Sequence, residues 1–148
     1  MPTTEYELGH GIIHKHAKRV RPDWDDYFLG IAQAVARRGD CLRTRVGAVL
    51  VGTDRRLAAT GYNGSPPGAP SCLAGGCSRC LSDTPSGTDY GTCIETHAEA
   101  NCLLFADWPS CQGATLYITR APCSDCSKLI RSAGIARVVY PSGDIVLY

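Results

Sequence analysis

Long apolar runs are missing from this 148-residue sequence. The longest, Val46–Val51, is broken by a glycine and is far too short to span a bilayer. No basic-then-apolar leader opens the chain, which sets the expectation of a soluble, cytoplasmic protein. A large net charge is missing as well: 15 Lys and Arg against 14 Asp and Glu leave +1. Nothing general therefore draws the chain toward nucleic acid or an anionic membrane. Aromatic residues make up only 7%, so few rings are available for the bases of a polynucleotide to stack on. Internal repeats and low-complexity tracts are absent too.

What the chain does have is cysteine, nine in all: Cys41, Cys72, Cys77, Cys80, Cys93, Cys102, Cys111, Cys123 and Cys126. An odd count without a leader argues against a secreted disulfide scaffold, and in a reducing compartment such residues point to metal binding or catalysis. An apolar content of 44% is that of an ordinary globular chain, and the length suits one domain that buries its own core. One basic stretch, His14 to Arg21, precedes the first clear helical pattern. Residues 1–20 read as a flexible arm ahead of a domain over 21–148. That arm is either solvated or placed to touch phosphates.

Hydrophobic periodicity supplies the elements. Phe28, Ile31, Ala32 and Val35 recur at helical spacing, predicting a helix over Asp23–Arg38 with acids first, arginines last and Gly39 behind it. Val46–Val51 and Leu57–Tyr62 flank a charged turn and predict an antiparallel hairpin. Eleven of the 31 residues from Gly61 to Gly91 are glycine or proline, which predicts a long loop, a feature that is usually functional or tied down. A helix over His97–Asp107, with Cys102, Leu103 and Ala106 inward, and a strand over Ala114–Thr119 follow. Next come a helix over Cys123–Ala133, with Cys126, Leu129, Ile130 and Ala133 inward, a strand over Ala136–Tyr140 and a last strand over Asp144–Tyr148. This order predicts an α/β domain in layers, helices covering a mixed sheet.

The chemistry concentrates in His97-Ala98-Glu99 and Pro122-Cys123-Ser124-Asp125-Cys126. Cysteines at i and i+3 of a helix start can aim both sulfurs at one point, and the positive helix end favours their thiolates. His97, opening another helix, supplies a third ligand, and tetrahedral zinc then keeps one position for water. Zinc brings the pKa of such a water from about 15.7 toward about 7. Glu99 is the proton carrier that this arrangement needs. Together the two segments match the H-x-E…P-C-x-x-C signature of zinc deaminases. A purely structural zinc knuckle leaves Glu99 without a task.

Further segments carry a family resemblance: Trp24-Asp25-Asp26-Tyr27-Phe28, Val46-Gly47-Ala48-Val49, Gly61-Tyr62-Asn63-Gly64, His97-Ala98-Glu99-Ala100-Asn101, Pro122 through Ile130, and Ala133-Gly134-Ile135. From about Arg21 to Tyr140 the chain resembles the deoxycytidylate (dCMP) deaminases of the cytidine deaminase superfamily. The resemblance implies a three-layer α/β/α domain with a central mixed sheet of about five strands, and a homo-oligomer, often a hexamer. It implies hydrolysis of dCMP to dUMP and ammonia, with Asn63, Ala98 and Asn101 contacting the nucleotide. It also implies regulation by dCTP or dTTP in some members. Read without the resemblance, Asn63 is a turn residue and Asn101 a surface amide. Cys102 stands where the family has alanine and reads as a small buried residue. Arg43, Arg45 and Arg120 are candidates for the phosphate.

A second, structural zinc would tie the long loop down. Cys41, Cys72, Cys77, Cys80, Cys93 and Glu95 are its candidate ligands, and the resemblance implies Cys41 and Cys72 among them. The competing readings are a deaminase of another cytidine-type nucleoside, base or polynucleotide, and a non-catalytic zinc-stabilised interaction module. Near-neutral charge and scarce aromatics weigh against the polynucleotide.

Overall fold

The computed structural model describes residues 5–7, 12–14 and 20–147. Two short strands, β1 (Glu5–Glu7) and β2 (Ile12–His14), pair antiparallel within the segment expected to be an arm. The remainder of that segment up to residue 19, with most of its basic stretch, lies outside the described residues.

The domain proper begins with α1 (Trp24–Ala36). The Asp23 side chain caps it by accepting from the Asp26 amide at 2.8 Å, which satisfies one orphan donor of the first turn. The helix stops at Ala36, with Arg37 as its cap. Arg37 and Arg38 therefore lie past the end rather than in the last turn.

The hairpin forms as the pattern predicts, from β3 (Gly47–Val51) and β4 (Leu57–Tyr62). Then follow α2 (Ser78–Leu81), a 3-10 turn over Tyr90–Thr92, α3 (Ala98–Leu104), α4 (Trp108–Cys111), β5 (Thr115–Ile118), α5 (Ser124–Ser132), β6 (Arg137–Tyr140) and β7 (Gly143–Val146). Strands β3 to β7 make one five-stranded sheet in the order β4-β3-β5-β6-β7. Only the β5–β6 pair is parallel, because α5 carries the chain back across the sheet between them. Strand β7 is shorter than the expected Asp144–Tyr148 strand, and Tyr148 lies outside the described residues.

Alternation along the strands builds two cores. Ala48, Leu50, Leu116, Ile118 and Val138 face the side covered by α3 and α5. Val49, Val51, Tyr117 and Val139 face α1, where Phe28 and Ala32 pack on them. Strand β3 is buried along its whole length, which is why its sequence is apolar at every position rather than at alternate ones. The result is the three-layer α/β/α sandwich that the family resemblance implies.

The helices approach the sheet so closely that two motif glycines have no alternative. A Cβ on Gly47 would stand 2.1 Å from the Ala32 carbonyl oxygen, and one on Gly61 would stand 2.3 Å from the Cys102 amide. Cys102 is buried directly against that contact, so its small size fits the space beside Gly61. In α5 the inward stripe is Cys126 and Ile130, while Leu129, expected to face in, is 49% exposed. Positions i and i+4 meet the sheet there, and i+3 turns away. No helix among the described residues is long and apolar enough to cross a membrane.

Candidate active site

His97 and Cys123 are the N-cap residues of α3 and α5, both with extended backbone (φ −65°, ψ 153° and φ −72°, ψ 170°). Because α3 and α5 lie side by side on one face of the sheet, their starts meet near the carboxyl end of β5, the end of a sheet where α/β folds place their ligands. His97 Nδ1 lies 3.5 Å from Cys123 Sγ and 3.4 Å from Cys126 Sγ. The Cys126 amide also points at Cys123 Sγ, 3.5 Å away. A tetrahedral zinc with ordinary Zn–S and Zn–N lengths needs an S···N separation of about 3.5 Å. The three ligands predicted from sequence thus stand where one ion would hold them. Burial pushes the Cys126 thiol up, with Glu99 and Cys123 adding to the effect. A cation at this point is what would make its thiolate stable.

Glu99 sits in the first turn of α3, 4% exposed. Burial pushes its carboxyl above the ordinary range, opposed by the charges of His97 and Arg120 and by the Cys126 thiol. An acid poised nearer neutrality is what proton transfer at physiological pH calls for. Glu99, His97 and Cys123 line a cavity of about 310 Å³ whose walls also include Asn63, Ala98 and Arg120.

Asn63 is 7% exposed and heavily engaged. Its Oδ1 accepts from the Val46 amide at 2.7 Å, and its Nδ2 donates to the Thr44 carbonyl at 2.8 Å and to Glu95 Oε2 at 3.1 Å. Both amide hydrogens are committed, and one of the two Oδ1 lone pairs remains. Asn101 is not part of the cavity wall. It donates to the Tyr62 carbonyl at 2.8 Å and so ties α3 to the end of β4.

The long loop is organised around a second cluster. Cys41, Cys72 and Cys80 bring their sulfurs within 4.8 Å of one another, with Cys41 and Cys80 3.7 Å apart. Glu95 lies against Cys41, Cys72 and Asn63, its carboxyl raised chiefly by burial, and its Oε1 is buried without a partner. Cys77 and Cys93 pair with sulfurs 3.9 Å apart, and the Cys77 thiol also meets that of Cys80. Cys111 is buried in the core.

Two loop residues that sequence reasoning missed shape the cavity. Arg79 is 6% exposed, donates to the carbonyls of Thr88 and Pro85, and holds its guanidinium over the Tyr90 ring, 4.8 Å from the centroid. Tyr90 in turn faces His97. A loop without apolar period offers no local signal for either, since their partners lie 6 to 11 positions away at no regular spacing.

The chain matches the family model of the cytidine and deoxycytidylate deaminase zinc-binding region over residues 22–142. It is 56% identical over 126 residues to a deoxycytidylate deaminase of Mycobacterium phage D29, covering 82% of this chain and 96% of that one. It is 46% identical to the Schizosaccharomyces pombe deoxycytidylate deaminase over 123 residues, but spans only 38% of that longer protein. Among solved structures, the dCMP deaminase of cyanophage S-TIM5 in complex with dCMP and dUMP superposes with a TM-score of 0.62 at 28% identity. The match covers 82% of this chain and 83% of that one. The cytidine deaminase of Mycobacterium tuberculosis, 19% identical over 85% of this chain and 91% of its own with a TM-score of 0.52, shares the fold. With its ligand triad, its buried glutamate and these relatives, the chain belongs to the zinc-binding cytidine and deoxycytidylate deaminase family.

Proposed function

We propose that this cavity hydrolyses dCMP to dUMP and ammonia. The observation that carries the reading is Glu99, buried beside a His97–Cys123–Cys126 triad that has tetrahedral spacing. A zinc-stabilised interaction module would have no use for a buried carboxyl in the cavity beside the triad.

His97, Cys123 and Cys126 would hold zinc, whose Lewis acidity makes water nucleophilic at neutral pH. Glu99 takes the proton from the attacking water and delivers it to the ring nitrogen next to the reacting carbon. As the oxygen adds, that carbon becomes tetrahedral. Glu99 then takes the proton of the newly added hydroxyl and passes it to the exocyclic amine, which leaves as ammonia as the C–N bond breaks and the carbonyl forms. Burial raises the carboxyl's proton affinity, which favours its role as proton acceptor. The Asn63 Oδ1 lone pair and the Ala98 backbone at the start of α3 serve as nucleotide contacts. Asn101 acts more remotely, holding the Tyr62–Asn63 backbone in place.

A second zinc belongs to Cys41, Cys72, Cys80 and Glu95. Tetrahedral thiolates on zinc stand about 3.8 Å apart, which the Cys41–Cys80 distance matches, and the unpartnered Glu95 Oε1 supplies the fourth donor. This site is closed and structural, anchoring the loop that walls the cavity. The chain self-associates through Leu104, Phe105 and Trp108, which form an apolar group 72%, 82% and 64% exposed around the end of α3. A cytoplasmic location fits this reading, since a reducing compartment keeps thiols available to a metal.

Ammonia release by the zinc-loaded protein across dCMP, CMP, deoxycytidine, cytosine, dCTP and a cytosine-containing single strand tests the reading. A clear preference for dCMP supports it. Activity confined to an unphosphorylated compound or a strand overturns the substrate, and silence on all six overturns the reaction.

A further inference from the structure

A monophosphate substrate carries two negative charges, yet the chain's net charge is +1 and both acids of the cavity wall, Glu95 and Glu99, are buried in it. No general field collects the anion. It has to be recognised by a local cation. Three guanidinium groups line the cavity, those of Arg43, Arg79 and Arg120.

Two of them are already committed. Arg43 donates from Nε to the Cys80 carbonyl, from Nη1 to Thr84, and from Nη2 to the carbonyls of Arg79 and Ser82. All three of its nitrogens hold the loop. Arg79 is buried, donates to Thr88 and Pro85, and lies on the Tyr90 ring. Drawing either one toward a ligand would undo the loop that forms the wall. Arg45, a third candidate from sequence, does not line the cavity, and its Nη1 reaches the Arg37 carbonyl at 3.5 Å.

Arg120 is different. It is exposed on the cavity rim and makes no hydrogen bond or ion pair among the described residues. It sits three residues before Cys123, a chain span of at most about 11 Å. A nucleotide whose base lies at the His97–Cys123–Cys126 triad would extend its sugar and phosphate over a comparable distance. Ser124 lines the same cavity and brings a hydroxyl donor to it.

We infer that Arg120 is the specificity residue for the substrate's terminal phosphate, gripping it through paired guanidinium donors while the base is held at the triad. Guanidinium and phosphate match as a two-pronged, charge-assisted pair. The inference rests on the deaminase reading above and adds to it the group that tells a nucleotide from a nucleoside.

The test compares the zinc-loaded wild type with Arg120→Ala and Arg120→Lys on dCMP, deoxycytidine and a short cytosine-containing strand. Arg120→Ala is expected to raise KM for dCMP about 10- to 100-fold, a loss at least tenfold greater than for deoxycytidine, with Arg120→Lys recovering part of it. Raising salt from about 50 to about 500 mM should raise the wild-type KM for dCMP and leave that of Arg120→Ala nearly flat. Equal losses on dCMP and deoxycytidine, or no loss on either, overturn the role of Arg120 while the deaminase reading stands. A strand preferred over dCMP and lost in Arg120→Ala overturns the terminal phosphate in favour of a diester. A wild type active on deoxycytidine but not on dCMP removes the substrate reading and this inference together.

Discussion

The Tyr90 ring stands edge-on to the His97 imidazole, with centroids 5.0 Å apart and planes at 87°. The same ring carries the Arg79 guanidinium, and Arg79 is the neighbour of Cys80 in the second cysteine cluster. The loop anchor and the active-site histidine are therefore linked through one aromatic side chain. An edge contact of this kind is worth about 0.5–1.5 kcal/mol. Tyr90→Ala should lower kcat/KM by about 2- to 10-fold and speed zinc loss to a chelator by a similar factor. Tyr90→Phe, which keeps the ring, should preserve both. Steady-state kinetics and metal release followed with a chromophoric chelator check this.

Glu99→Gln keeps the shape of the side chain and removes its proton chemistry. Zinc content should be unchanged, and kcat should fall by about 10²- to 10⁴-fold. Elemental analysis alongside ammonia release makes the comparison, and near-normal turnover would remove Glu99 from the mechanism.

The two cysteine clusters should separate on mutation. Cys123→Ser is expected to lose the active-site metal and all turnover while the loop stays protected. For the proposed second site, Cys80→Ser should lower metal content by one equivalent and expose residues 77–93 to protease before the sheet is touched. Metal content per chain and limited proteolysis distinguish the two.

Asp25 gives the fold a pH-dependent tie. Arg137 donates to both of its carboxyl oxygens at 2.9 and 2.7 Å, and the Tyr117 hydroxyl donates at 2.9 Å. The Arg137 bonds hold the Asp25 carboxyl below its usual range, against the opposing effect of burial. Its stabilisation is therefore present above the unfolded value of about 3.9 and is lost as pH falls through the lower folded value. Asp25 and Arg137 side chains are 36% and 34% exposed, so solvent screening limits the contribution to about 1 kcal/mol. Asp25→Asn should destabilise the protein at pH 7, and the gap from wild type should close below about pH 4. Denaturant midpoints measured across that range check the sign.

Gly61→Ala would place a methyl group against backbone atoms of α3, 2.3 Å from the Cys102 amide and 2.4 Å from the Ala98 carbonyl. Neither can move without shifting the helix that carries His97 and Glu99. A loss of about 3 kcal/mol is expected, together with reduced activity in whatever protein remains folded. Thermal unfolding and kcat measured on one preparation test both effects.

The triad and its proton carrier were legible in the sequence because their spacing is local. Cys123 and Cys126 share one helix start, and His97 and Glu99 share another, so helical geometry alone orients each pair. The hairpin and the β5–α5–β6 crossover were legible for the same reason, since period and turn chemistry act over a few residues, while the three layers followed from the family resemblance. Helix ends were less so: Leu129 reads as inward from its spacing, yet only contact with the sheet decides which stripe of α5 is buried. The loop from Gly64 to Thr92 was opaque. Its order comes from Arg43, Asp40 and Glu95 reaching across 25 to 36 positions of chain, and no local pattern encodes such reach. Sequence likewise left Arg43, Arg45 and Arg120 equal. The tertiary structure separated them, because a guanidinium's availability depends on which carbonyls the fold has already placed around it.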